Sequence, residues 1–397
     1  MNSFKELFIL DPQIIFLNHG SFGATPLPVF ECYQSWQSEL EKQPVAFLGR
    51  RAIALMEEAR TKLVNYLGAQ PDEIVYFPNP TTAINMVARN LSRKADHLAS
   101  IHGIRTVLQP GDEILTTNHE YGAMERAWRY ICRQTGARYV RQPIPLPLEA
   151  PEDFIEHFWQ GVNQRTRVIF LSHITSPTAL IFPVEAICER ARQAGILSIV
   201  DGAHAPGQIE VNLQQVGADI YTGACHKWLC APKGSAFLYV RRELQAWLDP
   251  LVISWGYESE QPSGSQFIDY HEWQGTRDLA AFLTVPSAID FQAQHNWQRV
   301  RRECHSLAVQ ARHRINQYLQ QEALCSEQDF AQMFSIQLPE DCDLDKLKDR
   351  LYQEYAIEVP LLVWQDMKLL RVSIQAYNTT QEVEILLKAL QELIEKP

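Results

Sequence analysis

The stretch of sequence that decides the fold is Ala218-Asp-Ile-Tyr-Thr-Gly-Ala-Cys-His-Lys-Trp-Leu-Cys-Ala-Pro-Lys-Gly-Ser-Ala-Phe-Leu-Tyr-Val240. It is typical of two short strands, residues 219–222 and 235–240, joined by an apolar turn that contains Lys227. Upstream, the strand-like residues 195–201 end in Asp201. Working outward, strand and helix patterns alternate along the chain, which predicts an α/β protein with a mainly parallel sheet.

The turn between these strands favours a chemically unusual lysine. Burial disfavours the ammonium form, so Lys227 is expected to have a lowered pKa and to act as a nucleophilic amine. Such an amine condenses with an aldehyde to form a Schiff base. Asp201, at a strand end, suits the protonated ring nitrogen of pyridoxal phosphate (PLP). A surface lysine is the alternative for Lys227 alone, but His204 and His226 beside these two residues favour a PLP site.

Composition excludes several classes of function. The chain has 397 residues and a net charge of -11, and nucleic-acid binding usually requires a basic surface. The eight cysteines include no C-x-x-C pair, so no zinc ribbon or thioredoxin-type site is expected, and no metal site is predicted. Neither a signal peptide nor an apolar run long enough to span a membrane is visible, so we expect a cytoplasmic protein with free thiols.

The pattern changes after residue 264 and predicts a second domain. Residues 279–319 are predicted to form one long helix, followed by an alternation of short strands and helices that ends with a helix over 381–395. We expect a large PLP-binding domain over 16–270 and a small α+β domain over 271–397, with residues 1–15 packed nearby.

Polar residues follow several of the predicted strands, where ligands bind in open α/β sheets. Thr81 and Thr82 begin a helix after strand 73–77, and such a helix start either binds a phosphate or is simply capped. After strand 112–117, the ring of His119 or of Tyr121 could lie flat on a cofactor. Arg371 has a planar fork suited to an α-carboxylate, with a structural salt bridge as the alternative.

Together these residues resemble the class V aminotransferases, in particular the isopenicillin N epimerase-like branch related to cysteine desulfurases and C–S lyases. The resemblance extends over nearly the whole chain. It implies the PLP-dependent transferase fold (fold type I), with a mainly parallel seven-stranded sheet and a small C-terminal domain. The most specific motifs are Phe16-Leu-Asn-His-Gly-Ser-Phe-Gly23, Asn118-His-Glu-Tyr-Gly-Ala123, His173-Ile-Thr-Ser176, Asp201-Gly-Ala-His-Ala205, Cys225-His-Lys-Trp228, Gly275-Thr-Arg-Asp278 and Arg371-Val-Ser373.

The resemblance also implies roles for individual residues. Lys227 would carry the Schiff base and move the proton of the substrate α-carbon, while Asp201 pairs with the ring nitrogen and His119 stacks on the ring. His204 and Ser176 would contact the ring hydroxyl of the cofactor. Its phosphate would be bound by Thr81, Thr82 and His226.

The remaining implied roles concern the substrate and the partner subunit. Arg371 would bind the carboxylate of an amino-acid substrate, with Asn18 nearby. Thr276 would reach the phosphate in the neighbouring subunit, which implies a homodimer with shared active sites.

Two departures from the family pattern bear on the reaction. Relatives usually carry a polar residue near the phosphate where this chain has Ala224, so one contact is lost or supplied by Thr222. Cysteine desulfurases also carry a nucleophilic cysteine shortly before the carboxylate-binding arginine, but residues 357–370 contain none, and Cys342 is too far upstream to be assumed equivalent.

Several reactions stay open at this point, because each can follow from a carbanion at the substrate α-carbon. A C–S lyase (α,β-elimination) or an epimerase is favoured, with His119 or Tyr121 as the second acid that epimerisation needs. An aminotransferase is the first alternative. A cysteine desulfurase is disfavoured, and a non-catalytic binding protein is opposed by the intact Lys227 and Asp201.

Overall fold

The computed structural model describes residues 4–93, 100–101, 103–148 and 150–394. Its centre is a seven-stranded sheet. The strands are β1 (Ile74–Phe77), β2 (Glu113–Thr117), β3 (Arg138–Gln142), β4 (Thr166–Ser172), β5 (Leu197–Asp201), β6 (Ile220–Ala224) and β7 (Ala236–Val240). Their order is β1-β7-β6-β5-β4-β2-β3, and only β7 runs antiparallel to its neighbours. The predicted α/β fold with a mainly parallel seven-stranded sheet is confirmed.

Most strands of the large sheet are buried on both faces. Every residue of β1, β2, β5, β6 and β7 is buried. Such continuous burial is typical of a sheet with helices packed on both sides. The α-helices of seven or more residues are Leu27–Lys42, Ala52–Leu67, Pro80–Leu91, Gly122–Thr135, Pro151–Trp159, Val184–Gln193, Gln266–Glu272, Val285–Gln294, Trp297–Leu319, Leu344–Tyr355 and Thr380–Leu393. Across the described ranges, none of the helices combines the length and the apolar character needed to cross a membrane.

A smaller antiparallel sheet lies in the C-terminal part. It consists of β8 (Met333–Gln337), β9 (Leu361–Trp364) and β10 (Met367–Ser373), in the order β8-β10-β9. The N-terminal segment attaches here, because Ile15–Phe16 pairs in parallel with Ile357–Glu358. The domain boundary at residue 270 stays a prediction. The predicted N-terminal segment 1–15 and the predicted helix 381–395 each reach past the described residues, which leave out 1–3 and 395–397.

The prediction of one helix over 279–319 is wrong. The structure has three helices there, Ala280–Leu283, Val285–Gln294 and Trp297–Leu319. Pro286 lies in the first turn of the second helix, where it has no N–H to bond to the preceding turn. Asn296 adopts a left-handed conformation with φ of 50° and separates the second helix from the third.

Among the strands of the two larger sheets, β3 and β9 have no counterpart in the sequence-based prediction. The strand β3 (Arg138–Gln142) lies at the edge of the large sheet and is partly exposed along its length, so its sequence has no buried apolar run. The strand β9 (Leu361–Trp364) forms a hairpin with β10 through Gln365, which has a positive φ of 52°. Glutamine gives little sequence signal for such a turn, because glycine and asparagine are the usual residues at positive φ.

Candidate active site

A cavity of about 160 Å³ lies at the carboxyl ends of the central strands. Parallel strands end at the same edge of a sheet, so the residues that follow β1, β2, β4, β5 and β6 meet there. The N-terminal segment closes another side of the cavity. The lining residues are Ser21, Phe22, Asn79, Pro80, Thr81, Tyr121, Met124, Ser172, Ile174, Ser176, Asp201, Ala203, His204, His226 and Lys227.

Lys227 projects into this cavity from the turn after β6. Its Nζ lies 3.1 Å from Nε2 of His204. Burial lowers the pKa of Lys227 to about 8, an effect that Asp201 opposes and that the positive charge of Arg371 reinforces. A lowered pKa leaves part of the lysine as neutral amine near neutral pH, which is the nucleophilic form.

Asp201 ends β5 on the floor of the cavity. Its Oδ1 accepts a hydrogen bond from the backbone N–H of Ala203 at 3.0 Å, and within the described ranges Oδ2 has no donor. Burial raises the pKa of the Asp201 carboxyl, opposed by that backbone bond and by Lys227. A buried carboxylate with an open oxygen is stabilised by a cationic N–H partner, and the protonated ring nitrogen of PLP is such a partner.

His226 and Thr81 lie together at the start of the helix Pro80–Leu91. His226 Nδ1 lies 2.9 Å from the carbonyl of Ser235, so Nδ1 donates a proton there, and Nε2 can donate to a phosphate oxygen when the ring is protonated as well. Within the described residues, the Thr81 hydroxyl forms no hydrogen bond. A helix N-terminus with such groups is suited to a phosphate.

Two predicted phosphate contacts are not supported by the structure. Thr82 is absent from the cavity lining, and its N–H and hydroxyl both donate to Oδ1 of Asn79, at 2.8 and 3.0 Å. It belongs to the helix cap, which is the simpler of the two predicted interpretations. Thr222 is fully buried and donates its hydroxyl to the carbonyl of Phe237 at 2.7 Å, so it does not replace the polar residue missing at Ala224.

The structure does not support the prediction that His119 stacks on the cofactor. His119 is fully buried away from the cavity lining, with Nδ1 2.8 Å from the Thr178 hydroxyl and Nε2 3.1 Å from the carbonyl of Ile144. Its ring packs against Trp364 at 4.3 Å. Tyr121, two residues later, is the aromatic residue of this motif that lines the cavity.

Arg371 lies on β10, directly behind two serines of the cavity wall. Its Nη1 donates to the carbonyl and hydroxyl of Ser176, at 2.7 and 3.1 Å, and its Nη2 donates to the hydroxyl of Ser21 at 3.0 Å. Its Nε is buried without a partner, and no carboxylate pairs with it in the described part of the chain. Burial lowers the pKa of Arg371 to about 10. The salt-bridge alternative is therefore wrong. The guanidinium of Arg371 has no anionic partner among the described residues, so it can bind the carboxylate of a ligand.

Asn18 and Thr276 lie outside the lining of this cavity. Asn18 accepts a hydrogen bond from Ser21 and donates to Glu358 at 2.9 Å, so it positions Ser21 beneath Arg371. Thr276 is exposed in a loop of the same chain. Its implied contact with a neighbouring subunit stays a prediction.

Sequence reasoning missed Glu120, a buried carboxyl beside the cavity. Its oxygens accept hydrogen bonds from the hydroxyls of Thr117 and Ser172, both at 2.7 Å. Burial raises its pKa to about 7, and those two bonds oppose the shift while the nearby Asp201 adds to it. The sequence feature that could have indicated Glu120 is its position between His119 and Tyr121, directly after a buried strand.

A family model described as Aminotransferase class-V matches residues 26–386. The chain belongs to the class V aminotransferase family. Its cofactor is PLP, and it is a PLP-dependent enzyme. The described side chains fit this cofactor: a lysine of lowered pKa, a buried aspartate with an open oxygen and a helix N-terminus line one cavity.

Curated relatives match nearly the whole length of this chain. Isopenicillin N epimerase from Amycolatopsis lactamdurans is 37% identical, over 98% of this chain and 97% of that protein. A probable chloroplastic L-cysteine desulfhydrase from Arabidopsis thaliana is 25% identical, over 97% of this chain and 84% of that protein. The solved apo structure of cysteine desulfurase from Thermococcus onnurineus NA1 shares the fold, with a TM-score of 0.83 at 20% identity over 100% of this chain and 99% of that one.

Cofactor capture by this enzyme should depend on pH through Lys227. Only the neutral amine attacks an aldehyde, so the capture rate of cofactor-free protein should rise about tenfold per pH unit and level off above pH about 8. The measurement is the rate of the absorbance change on mixing with PLP across this pH range, with Nα-acetyl-lysine run in parallel as the reference amine of unshifted pKa. A rate that keeps rising to pH about 10, as for an exposed lysine, would contradict a lowered pKa of Lys227.

Proposed function

We propose that this enzyme is a C–S lyase, which removes the α-proton of a sulfur-containing amino acid and expels the sulfur from the β-carbon. The observation that carries the proposal is the convergence of a lysine of lowered pKa with a buried arginine that lacks an anion. Lys227 lines the cavity, and Arg371 lies directly behind Ser21 and Ser176 in the same wall. A base and a carboxylate-binding group are what such a substrate requires.

Each residue has a physical task in this proposal. Arg371 binds the substrate carboxylate, which replaces the Ser21 hydroxyl on Nη2 and reaches the open Nε. Lys227 takes the α-proton as a neutral amine and returns it to the departing sulfur or to the product. When bound, PLP supplies an electron sink for the negative charge that develops at the α-carbon.

The cofactor contacts follow from the positions of the same lining residues. We propose that Asp201 Oδ2 holds the ring nitrogen and that Tyr121 covers the ring. Thr81 donates its hydroxyl to the phosphate, and His226 binds the phosphate through Nε2 as an imidazolium, the form that the phosphate charge favours. His204 and Ser176 serve the ring hydroxyl, with the carbonyl of Ser176 also fixing Arg371.

The sulfur leaves as a leaving group rather than being transferred to the protein. No cysteine lines the cavity within the described ranges, and residues 357–370 contain none. Cys342 is half-buried, and its backbone carbonyl accepts a hydrogen bond from the Lys368 ammonium. A persulfide on the enzyme is therefore disfavoured, whereas elimination needs one acid–base group near the α-carbon, and Lys227 supplies it.

Epimerisation is the second candidate. It needs an acid on each face of the α-carbon, and Tyr121 adds a hydroxyl to the cavity that contains Lys227. The relative with 37% identity carries the name isopenicillin N epimerase, which favours this candidate.

A substrate panel decides between the two candidates. Purified holoenzyme is given L-cysteine, L-cystine, cysteine conjugates and alanine, and pyruvate, ammonia, sulfide and α-deuterium exchange are followed together. Pyruvate and ammonia in equal amounts from a sulfur substrate are expected. If no substrate releases ammonia but deuterium still exchanges at the α-carbon, the lyase proposal is contradicted and the epimerase is favoured.

Replacing Tyr121 with phenylalanine should separate the two reactions. The ring keeps its packing, so elimination should slow by no more than about tenfold, the cost of a lost hydrogen bond. Epimerisation would lose a general acid and slow by about 10²- to 10⁴-fold. Pyruvate formation and change of optical rotation are measured on the same preparations. Tyr130→Phe, an exposed tyrosine outside the cavity, is the matched control.

The assembly and compartment complete the proposal. We infer a cytoplasmic homodimer in which Thr276 of one subunit reaches the phosphate in the other, because this exposed loop residue lies outside its own cavity. Mixing inactive Lys227→Ala subunits with inactive Thr276→Ala subunits should restore activity if sites are shared, since some mixed dimers then carry one intact site.

A further inference from the structure

The residue after the candidate catalytic lysine makes a contact that the proposed reaction does not use. Trp228 is fully buried, and its indole Nε1 donates to Nδ1 of His204 at 3.3 Å. The indole packs against the ring of His19 with 4.9 Å between centroids. Its backbone carbonyl accepts a hydrogen bond from Gln292 Nε2 at 2.9 Å. The indole is therefore held in one orientation.

This contact determines which nitrogen of His204 carries a proton. An indole N–H is a donor only, so His204 Nδ1 must be the unprotonated acceptor. Burial and the nearby Lys227 charge lower the pKa of His204 well below its usual value, so the ring is neutral. A neutral imidazole with an unprotonated Nδ1 carries its single proton on Nε2.

The Nε2–H of His204 points towards the lysine. Its partner is Lys227 Nζ at 3.1 Å, and an N–H donor needs a lone pair on that nitrogen. An ammonium has no lone pair, so this arrangement requires the neutral amine. We propose that Trp228 is a positioning residue: it fixes His204 in its Nε2–H tautomer, and this tautomer favours the neutral, nucleophilic form of Lys227 before the cofactor binds.

The charged groups nearest to Lys227 act on its pKa in opposite directions. Asp201 favours the ammonium, whereas Arg371 disfavours it. The remaining titratable groups near His204 are the imidazoles of His19 and His226, and burial lowers the pKa of each, to about 3 and about 4. Without the indole N–H, His204 could move its proton to Nδ1, and its bare Nε2 would then accept a hydrogen bond from an ammonium.

The tautomer can be measured directly in unmodified protein. Cofactor-free protein with nitrogen-labelled histidine is examined by NMR, and the His204 signals are those lost in His204→Gln. An unprotonated Nδ1 and a protonated Nε2 are expected at neutral pH. The opposite assignment would overturn the proposal. This result does not depend on the proposed reaction, so it separates a failure of this inference from a failure of the lyase proposal.

The effect on the lysine is tested with Trp228→Phe. The pH midpoint of PLP capture by cofactor-free protein should rise by about half to one unit, because a hydrogen bond that favours the amine is released. This readout rests on the proposed function only in taking Lys227 as the residue that captures PLP. Trp128→Phe is the matched control, since Trp128 is fully buried and its indole N–H has no partner within the described residues.

A double substitution distinguishes the tautomer from a general loss of packing. His204→Ala removes the imidazole and every hydrogen bond to it, so Trp228→Phe should leave the midpoint unchanged when it is added to His204→Ala. An equal rise of the midpoint in both backgrounds, or in Trp128→Phe, would overturn the proposal. If Trp228→Phe does not fold, as judged by circular dichroism, the NMR result on the unmodified protein decides the question.

Discussion

Replacing Lys227 with alanine should abolish covalent capture of PLP and lower turnover by about 10⁴-fold or more. The lysine supplies both the amine that bonds to the cofactor and the base for the α-proton, and Nζ is the amine that lines the cavity wall beside Asp201 and His204. Borohydride reduction followed by mass spectrometry of the tryptic peptide measures the bond, and pyruvate release measures turnover.

Lys233 provides a matched control for this variant. It follows Lys227 by six residues in the same connection, but it is exposed and absent from the cavity lining. Lys233→Ala should keep a borohydride-reducible cofactor and most of the activity. A reducible bond at full occupancy in Lys227→Ala, together with its loss in Lys233→Ala, would move the role to the second lysine.

The sequence predicted the components of the site better than their orientation. Lys227, Asp201 and Thr81 could be placed together because each follows a strand of one parallel sheet, and the carboxyl ends of such strands share an edge. The choice between His119 and Tyr121 could not be made in this way. Both follow β2, and the path of the backbone after the strand turns His119 into the core towards Thr178 and Tyr121 into the cavity.

Contacts between distant segments account for what the sequence missed or left open. The bond from Trp228 to His204 joins residues 24 positions apart, and no local pattern indicates it. Arg371 was equally compatible with a salt bridge, because only the folded chain shows that Ser21 and Ser176, rather than an acidic residue, surround its guanidinium. Thr82 could not be separated from its role in the helix cap, since both interpretations predict a threonine at this position.

Replacing Arg371 with glutamine should lower kcat/KM for amino-acid substrates by about 10²- to 10³-fold, the usual cost of truncating a buried charge partner. The cofactor bond to Lys227 should persist. The sharper readout is the comparison of each substrate with its carboxamide, because the arginine recognises the carboxylate. Wild-type enzyme should prefer the free acid, and the variant should lose that preference.

The same substitution should cost little stability. A buried guanidinium without an anion carries a desolvation penalty, which offsets the hydrogen bonds it makes to Ser21 and Ser176. The free energy of unfolding of cofactor-free Arg371→Gln should therefore lie within about 1 kcal/mol of wild type. Arg312 is the matched control, because it is equally buried and likewise donates to a carbonyl, that of Cys325 at 2.9 Å, but its guanidinium also lies over the Phe330 ring, a favourable contact that its removal would lose. Arg312→Gln should lose about 1–3 kcal/mol and keep the preference for the free acid.

The charge of Arg371 also acts on the lysine, which gives this prediction an independent check. Arg371 is one of the groups that hold the pKa of Lys227 down, so its removal should raise the pH midpoint of PLP capture. Trp228→Phe should raise the same midpoint through His204, but it should leave the preference for the free acid intact. If Arg371→Gln kept both the preference for the free acid and the midpoint of wild type, the role of the guanidinium would be structural. It would then neither recognise the substrate carboxylate nor lower the pKa of Lys227.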